Sequence, residues 1–206
     1  SVAELLGQPL PDFSLRALRA SDFRQWVPTL EMNRSDARIK HTAMEKYFVR
    51  GGLPGVCFLR DERQRSQKIE QQLITILDRD VRLVRKIQLP LGDLRALLNA
   101  LADLQGTPLD LTELRRRSGI SLPTIKKVLY VFEAVFLIRF LRIEGSTLGK
   151  TWFLEDQGEA HALRRVARNF ELEFTHFLWT QLRTQFGYRQ GYTTEAFQYR
   201  TRGGAN

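Results

Sequence analysis

Cysteine is nearly absent from this chain of 206 residues, and its scarcity excludes two kinds of stabilisation. The single thiol, Cys57, allows neither an internal disulfide nor a zinc site made of cysteines. A chain without disulfides is typical of reducing compartments, so we expect a cytoplasmic location. Its hydrophobic content of 43% is that of an ordinary globular protein that folds around an apolar core.

Long apolar runs are also missing. No stretch approaches the roughly 18 apolar residues that span a bilayer, and the N-terminus lacks the basic and then apolar pattern of a signal peptide. We therefore expect neither membrane insertion nor secretion. The chain begins at Ser1 without a methionine, which predicts that it is a fragment of a longer protein.

Recognisable catalytic motifs are lacking too. The phosphate-binding pattern G-x-x-x-x-G-K-[ST] does not occur, so we do not expect this chain to hydrolyse ATP by itself. The three histidines, His41, His161 and His176, are far apart and lack metal-ligand spacing. We predict no catalytic residue, no metal ligand and no cofactor bound by this chain alone.

Positive charge is in excess, with 32 Lys and Arg against 23 Asp and Glu, for a net charge of +9. Such a charge attracts nucleic acid through counterion release. The excess is spread along the chain, since residues 93–155 carry nine basic against seven acidic side chains. The charge is therefore either a binding footprint or a feature that keeps the protein in solution.

Two helices are predicted in the N-terminal part. The first covers 36–50 and ends at a Gly-Gly pair, and the second covers about 63–86 with a charged opposite face. Pro-Leu-Gly at 90–92 is the best candidate linker. Asp78 and Asp80 are two apart and point to different helix faces, and the neighbouring Arg79 and Arg82 predict ion pairs. The apolar faces contain Ile39, Ala43, Tyr47 and Phe48 in the first helix, and Ile69, Leu73, Ile76, Leu77, Val81 and Val84 in the second.

A helix-turn-helix pattern follows. The run DLRALLNALADLQG (93–106) predicts an amphipathic helix with Asp93 as N-cap and Gly106 as stop. A short second helix, capped by Asp110 or Thr112, is expected to end at Arg117 before a turn at Gly119.

The third helix is predicted for about 122–134, with Ser121 as its cap and Pro123 in its first turn. VFLIRFLRI (135–143) and TWFLE (151–155) have the composition of strands, and the Gly-rich segment between them predicts a hairpin. Three helices followed by a hairpin indicate a winged helix. Its third helix should bury Ile125, Val128, Leu129 and Phe132, and expose Thr124, Lys126, Lys127 and Tyr130.

In such a module the third helix enters the major groove of duplex DNA, where side chains near its N-terminus meet bases and phosphates. The second helix contacts the backbone, and the hairpin reaches an adjacent groove. The alternative is a packing or protein-contact domain, because the exposed face has two lysines and no Arg, Asn or Gln. The predicted DNA-binding residues are Ser121, Thr124, Lys126, Lys127, Arg115, Arg116, Arg117 and Lys150.

Several phrases together resemble the C-terminal region of bacterial and archaeal AAA-type ATPases, a region described as a domain of unknown function. They occur in the family's order over about 160 residues of this chain. The phrases are YFVRGGLPGV (47–56), ILDRDV (76–81), GTPLDLTELRRRSGISLPTIKKVLYVFEAVFLIRFL (106–141), KTWFLEDQGEAHAL (150–163) and QYRTRGGAN (198–206).

The resemblance implies a helical lid-like region at 1–90, a winged helix at 91–155, and at 156–206 the start of a truncated region similar to restriction endonucleases. The ATPase core that binds ATP and Mg²⁺ would precede Ser1 and would be a partner of this chain. The lid motif implies nucleotide contacts by Gly51, Gly52 and Pro54, although the same residues equally suit a helix stop and turn.

Glu171 and Glu173 match the acidic position in the first helix of the nuclease-like region. Without the strand that follows in the family they cannot complete a metal site. The fold class predicted overall is mainly α with a small β-hairpin wing (α+β).

Three functions remain open at this point. The first is duplex DNA binding by the C-terminal part of an ATPase. In the second, the chain forms part of a degenerate metal-dependent nuclease. The third is a protein-interaction module that associates with a partner or a second copy through the aromatic helix with Phe170, Phe174, Phe177, Leu178 and Trp179.

Overall fold

The computed structural model describes residues 34–145, 149–187 and 197–198, with side chains described for 37–145 and 149–184. It is mainly helical with a small antiparallel hairpin, as the sequence predicted. Within the described ranges no helix has the length and apolarity needed to cross a membrane. The elements are α1 (Arg34–Arg50), α2 (Glu62–Thr75), α3 (Val81–Val84), α4 (Leu91–Leu104), α5 (Leu111–Ser118), α6 (Leu122–Ala134), β1 (Ile138–Ile143), β2 (Lys150–Leu154), α7 (Gln157–Leu163), α8 (Phe170–Gly187) and β3 (Phe197–Gln198).

Backbone contacts divide the chain into two units, Ser1–Tyr47 and Phe48–Asn206. The first unit is described only from residue 34 onward, within α1. The prediction that this helix has an apolar face is confirmed at Tyr47 and Phe48, which are buried, but Ile39 is 54% exposed. Gly51 adopts a left-handed φ of 69° and ends the helix, as the Gly-Gly pair predicted.

The second predicted helix is observed as one helical run from Glu62 to Val84, interrupted by a π-helical turn at Ile76–Asp80. Asp61 caps it by accepting the amide protons of Arg63 and Gln64. The predicted apolar face is buried at Ile69, Leu73, Leu77 and Val81, whereas Val84 is 47% exposed. The predicted ion pairs are present, with Arg82 Nε 3.2 Å from Asp78 Oδ1 and Arg79 Nε 2.8 Å from Asp80 Oδ1.

The start of α4 differs from its prediction. Its N-cap is Pro90 rather than Asp93, so Leu91 and Gly92 of the expected linker belong to the helix. Proline lacks an amide proton and its φ suits the entry to a helix, while Asp93 occupies the first turn, where its charge favours the helix dipole. The predicted stop at Gly106 is observed, since this residue has a φ of 76°.

The hairpin is fixed by register and by contacts with the α4–α5 loop. β1 and β2 pair antiparallel, with Phe140 opposite Trp152, and β3 adds a short parallel pair to β1. The amide of Leu109 donates to the carbonyl of Lys150 at 2.8 Å, and the Thr151 hydroxyl donates to the carbonyl of Thr107 at 2.7 Å. These bonds hold the hairpin against the loop that leads into α5.

One hydrophobic core extends from Val56 to Leu163. Trp152 is fully buried in it and its indole N–H donates to the carbonyl of Leu101 at 3.1 Å, so the polar atom of this large side chain is satisfied. Side chains from all three predicted regions, 1–90, 91–155 and 156–206, contribute to this core. The predicted boundaries at 90/91 and 155/156 remain predictions.

Candidate nucleic-acid interface

Helix α5 and the turn that joins it to α6 are both defined by local side-chain and backbone geometry. Asp110, one of two caps left open by the sequence, accepts the amide protons of Thr112 and Glu113 at 2.8 and 3.1 Å. Gly119 ends α5 in a left-handed conformation, with φ 73°, and its amide donates to the carbonyl of Arg115. Buried Ile120 then anchors the turn, so α6 starts in a fixed position after Ser121.

Helix α6 has two distinct faces. Its apolar residues follow helical spacing into the core, while Lys126, Lys127 and Tyr130 are exposed, as predicted. Neither lysine has an ion-pair partner among the side chains that the structure describes, so both charges face solvent unneutralised. The buried residues are Ile125, Val128, Leu129, Val131 and Phe132.

The two hydroxyl residues at the start of α6 bind each other. Ser121 occupies the predicted N-cap position, but its side chain accepts no backbone amide proton. Its Oγ instead lies 2.8 Å from Oγ1 of Thr124, in an exposed hydrogen bond. These hydroxyls therefore sit together beside the lysines at the N-terminal end of the helix.

The three predicted arginines on α5 are not equivalent. Arg115 is exposed and has no ion pair with any described side chain. Arg116 donates to both carboxylate oxygens of Glu113, at 2.7 and 2.6 Å, and Arg117 Nε donates to the same group at 2.7 Å. These hydrogen bonds, that of Arg116 foremost, lower the pKa of Glu113 to about 2. The sequence interpretation missed Glu113, although its spacing of three and four residues from the arginines is a recognisable signal.

Lys150, the predicted wing residue, lies at the start of β2. Its Nζ is 3.8 Å from the centre of the Phe140 ring, in a cation–π contact across the hairpin. The side chain is half-buried, so its charge is more shielded than those of α6. The tip of the hairpin at 146–148 lies outside the described residues.

Gly51 and Gly52, predicted to contact a nucleotide, are held by Asp156. The amide of Gly52 donates to Asp156 Oδ2 at 2.7 Å, while Oδ1 accepts the amide protons of Gly158 and Glu159 at the start of α7. A Cβ on Gly51 would lie 2.0 Å from Asp156 Oδ1, so this position has no room for a side chain. This geometry gives Gly51 and Gly52 a structural role in joining the turn to α7.

Pro54, the third residue of that prediction, is exposed. Nucleotide contact by Gly51, Gly52 and Pro54 remains a prediction. The sequence interpretation missed Asp156, whose signal was its position as an acidic residue directly before a helix.

Two buried carboxyl groups accompany this junction. Burial raises the pKa of Asp156 despite the amide protons that it accepts. Burial also raises the pKa of Glu159 to about 8, with further contributions from the charges of Asp156 and Glu155. Glu159 is therefore mostly protonated at neutral pH, and its Oε1 lies 3.5 Å from the Gln72 amide nitrogen.

The two glutamates expected from the nuclease-like resemblance diverge. Glu171 is exposed, whereas Glu173 is buried and accepts hydrogen bonds from Arg164 at 3.0 Å and Arg168 at 2.7 Å. The Glu173 carboxylate is thus already neutralised by two guanidinium groups. Among residues 34–145, 149–187 and 197–198, no group of three His, Cys, Asp or Glu is placed to hold a metal ion.

Helix α8 is apolar on its exposed side as well as toward the core. Its buried side includes His176, whose Nε2 lies 2.7 Å from the carbonyl of Leu154 and whose ring stacks on Phe153. Burial lowers the pKa of His176 to about 4, so the ring is neutral at pH 7. The exposed side carries a stripe spaced by four residues, Phe170, Phe174, Leu178 and Leu182.

The chain belongs to a family described as a domain of unknown function, DUF8612, whose profile matches residues 41–167. The matched region runs from within α1 to beyond α7 and includes the α5–α6 turn, the hairpin and the Asp156 junction. Comparison with curated proteins and with solved structures finds no match.

Proposed function

We propose that residues 91–155 form a winged helix-turn-helix that binds duplex DNA, with α6 as the recognition helix. The observation that carries the proposal is the pair of exposed lysines, Lys126 and Lys127, on the face of α6 opposite its core, neither of which forms an ion pair with a described side chain. They follow a turn fixed by Gly119 and the buried Ile120, as a helix that must enter a groove requires.

The neighbouring groups extend this surface. Arg115 adds a guanidinium on α5 that has no ion pair with any described side chain, and the Ser121 and Thr124 hydroxyls can bind phosphate oxygens at the start of α6. Lys150 adds a positive charge on the hairpin, where its contact with the Phe140 ring holds the ammonium group in place. We propose Arg116 and Arg117 as further phosphate contacts.

We further propose that the chain is the C-terminal part of a cytoplasmic AAA-type ATPase, with ATP and Mg²⁺ bound by a core outside it. The sequence resemblance described above supports this origin. In that arrangement this chain has no catalytic activity and positions DNA for the ATPase.

The test is fluorescence anisotropy of a labelled duplex titrated with the protein at 50 and 200 mM salt. Phosphate contacts make binding fall with salt, and the logarithmic slope decreases by about 1 for each lysine contact removed. We expect Lys126→Glu combined with Lys127→Glu to weaken binding to all duplex sequences and to reduce the slope by about 2.

The matched control is Lys68→Glu combined with Lys86→Glu, which changes the net charge equally at two exposed lysines on other parts of the chain. Equal weakening by both pairs would show that only the net charge attracts DNA. No binding by the unmodified protein at 50 mM salt would contradict the proposal.

Self-association is a second candidate function, favoured by the exposed stripe on α8. The side chains at 170, 174, 178 and 182 repeat at the spacing that forms a ridge for helix packing. Sedimentation equilibrium tests this candidate: Phe174→Ser with Leu178→Ser should convert a dimer into a monomer. A wild-type protein that is monomeric at high concentration would exclude it.

A further inference from the structure

Glu113 binds two of the three arginines in the last turn of α5. Both of its carboxylate oxygens accept hydrogen bonds from Arg116, and Oε1 also accepts one from Arg117. Arg117 lies 3.7 Å from Asp103 as well. Only Arg115 is left without a described ion pair in this turn.

The hydrogen bonds that Glu113 receives are those that a DNA phosphate would receive. Nε and Nη2 of Arg116 form a parallel pair of bonds to two oxygens of one anion, the arrangement by which arginine binds carboxylates and phosphates alike. Arg116 is 70% exposed, so a phosphate can approach the same atoms. Because exposed ion pairs are weak, a phosphate can displace the carboxylate.

We propose that Glu113 is an internal competitor for DNA phosphate that keeps Arg116 and Arg117 partly neutralised and so limits the affinity of the protein for duplex DNA. This inference rests on the proposed function. When DNA binds, a backbone phosphate replaces Glu113 on one or both guanidinium groups. Weak binding of α5 to the DNA backbone allows the protein to move along DNA. A larger share of the binding free energy then comes from the contacts that α6 makes.

Glu113→Gln tests the competition in the full chain by anisotropy titration with the same labelled duplex. The amide keeps the size of the side chain but removes its negative charge. We expect about tenfold tighter binding at 50 mM salt and a salt slope steeper by about 1 to 2, one unit for each arginine released. The control Glu62→Gln makes the same change in net charge at an exposed position and should leave the slope unchanged.

A second variant tests the identity of the released groups. Arg116→Gln with Arg117→Gln, added to Glu113→Gln, should abolish the gain in affinity and return the slope to its wild-type value or below. In the wild-type background, the same double change should reduce the slope by less than Lys126→Gln with Lys127→Gln, which removes the same number of positive charges. Far-UV circular dichroism confirms that each variant is folded.

The outcomes separate the two proposals. If the wild-type protein does not bind duplex at low salt, the proposed function fails and the competition fails with it. If it binds with a clear salt dependence but Glu113→Gln changes neither affinity nor slope, only the competition fails. An equal gain from Glu62→Gln would also overturn the competition, because net charge alone would then explain the effect.

Discussion

The buried carboxyl of Glu159 makes a quantitative prediction about stability. Burial in the junction between α2 and α7 raises its pKa from 4.5 to about 8. In the unfolded chain the group ionises at its ordinary pKa, so folding at neutral pH requires uptake of a proton. The stability contributed by the protonated group is fully present below pH 4.5 and is lost as the pH rises through 8.

The magnitude follows from the shift in pKa. One unit corresponds to about 1.4 kcal/mol, so the loss between pH 4.5 and 8 is on the order of 5 kcal/mol, and about 3 kcal/mol of it has occurred at pH 7. Glu159→Gln replaces the group with a neutral one of the same shape that still offers an oxygen to Gln72. We therefore expect the variant to be more stable than the wild type by several kcal/mol at pH 8.5, and to differ little at pH 5.

Urea denaturation at half-unit steps from pH 5 to 9 measures this difference, with Glu62→Gln as an exposed control. The gap in unfolding free energy between Glu159→Gln and wild type should widen with pH up to about 8 and then level off. A gap that stays constant from pH 5 to 9 would refute the reasoning, since it would mean that Glu159 ionises at the same pH in both states.

Two further predictions concern the same part of the fold. Placing a non-glycine residue in the left-handed conformation costs roughly 1 kcal/mol. Gly51→Ala should lower the free energy of unfolding by more than this, because the new Cβ would also collide with Asp156. Gly55→Ala, at φ 78° with no neighbour within 4 Å, should show the conformational cost alone, and thermal melts measure both variants. His176 contributes a loss of stability as the pH falls from 6.5 to about 4, on the order of 3 kcal/mol, because burial, together with the nearby charges of Arg164 and Arg183, favours the neutral ring in the folded protein. In denaturant titrations, His176→Gln should remove this loss of stability at acid pH, whereas the exposed His41→Gln should not. A His176→Gln variant that loses as much stability between pH 6.5 and 4 as the wild type would contradict the role of His176.

Local patterns were sufficient to predict much of the fold. The cap at Asp110, the turn at Gly119 and the buried face of α6 depend on residues within a few positions of one another, so their spacing in the sequence already describes their geometry. The strand pair and the ion pairs of Asp78 and Asp80 were predictable for the same reason. Glu113 lay within reach of the same rules, since it precedes its arginines by one helical turn.

The remaining features depend on contacts that the sequence does not express. The Gly52 amide meets Asp156 across 104 positions, so the Gly-Gly pair alone was compatible with both a nucleotide contact and a simple turn. Likewise, only the packing of α7 against neighbouring elements, α2 and α4 among them, decides that Glu159 is buried and protonated, while the equally acidic Glu171 on α8 is exposed. Helix ends, turns and apolar faces follow from short-range sterics and periodicity. Burial and charge state are set by the neighbours that folding brings together from distant parts of the chain.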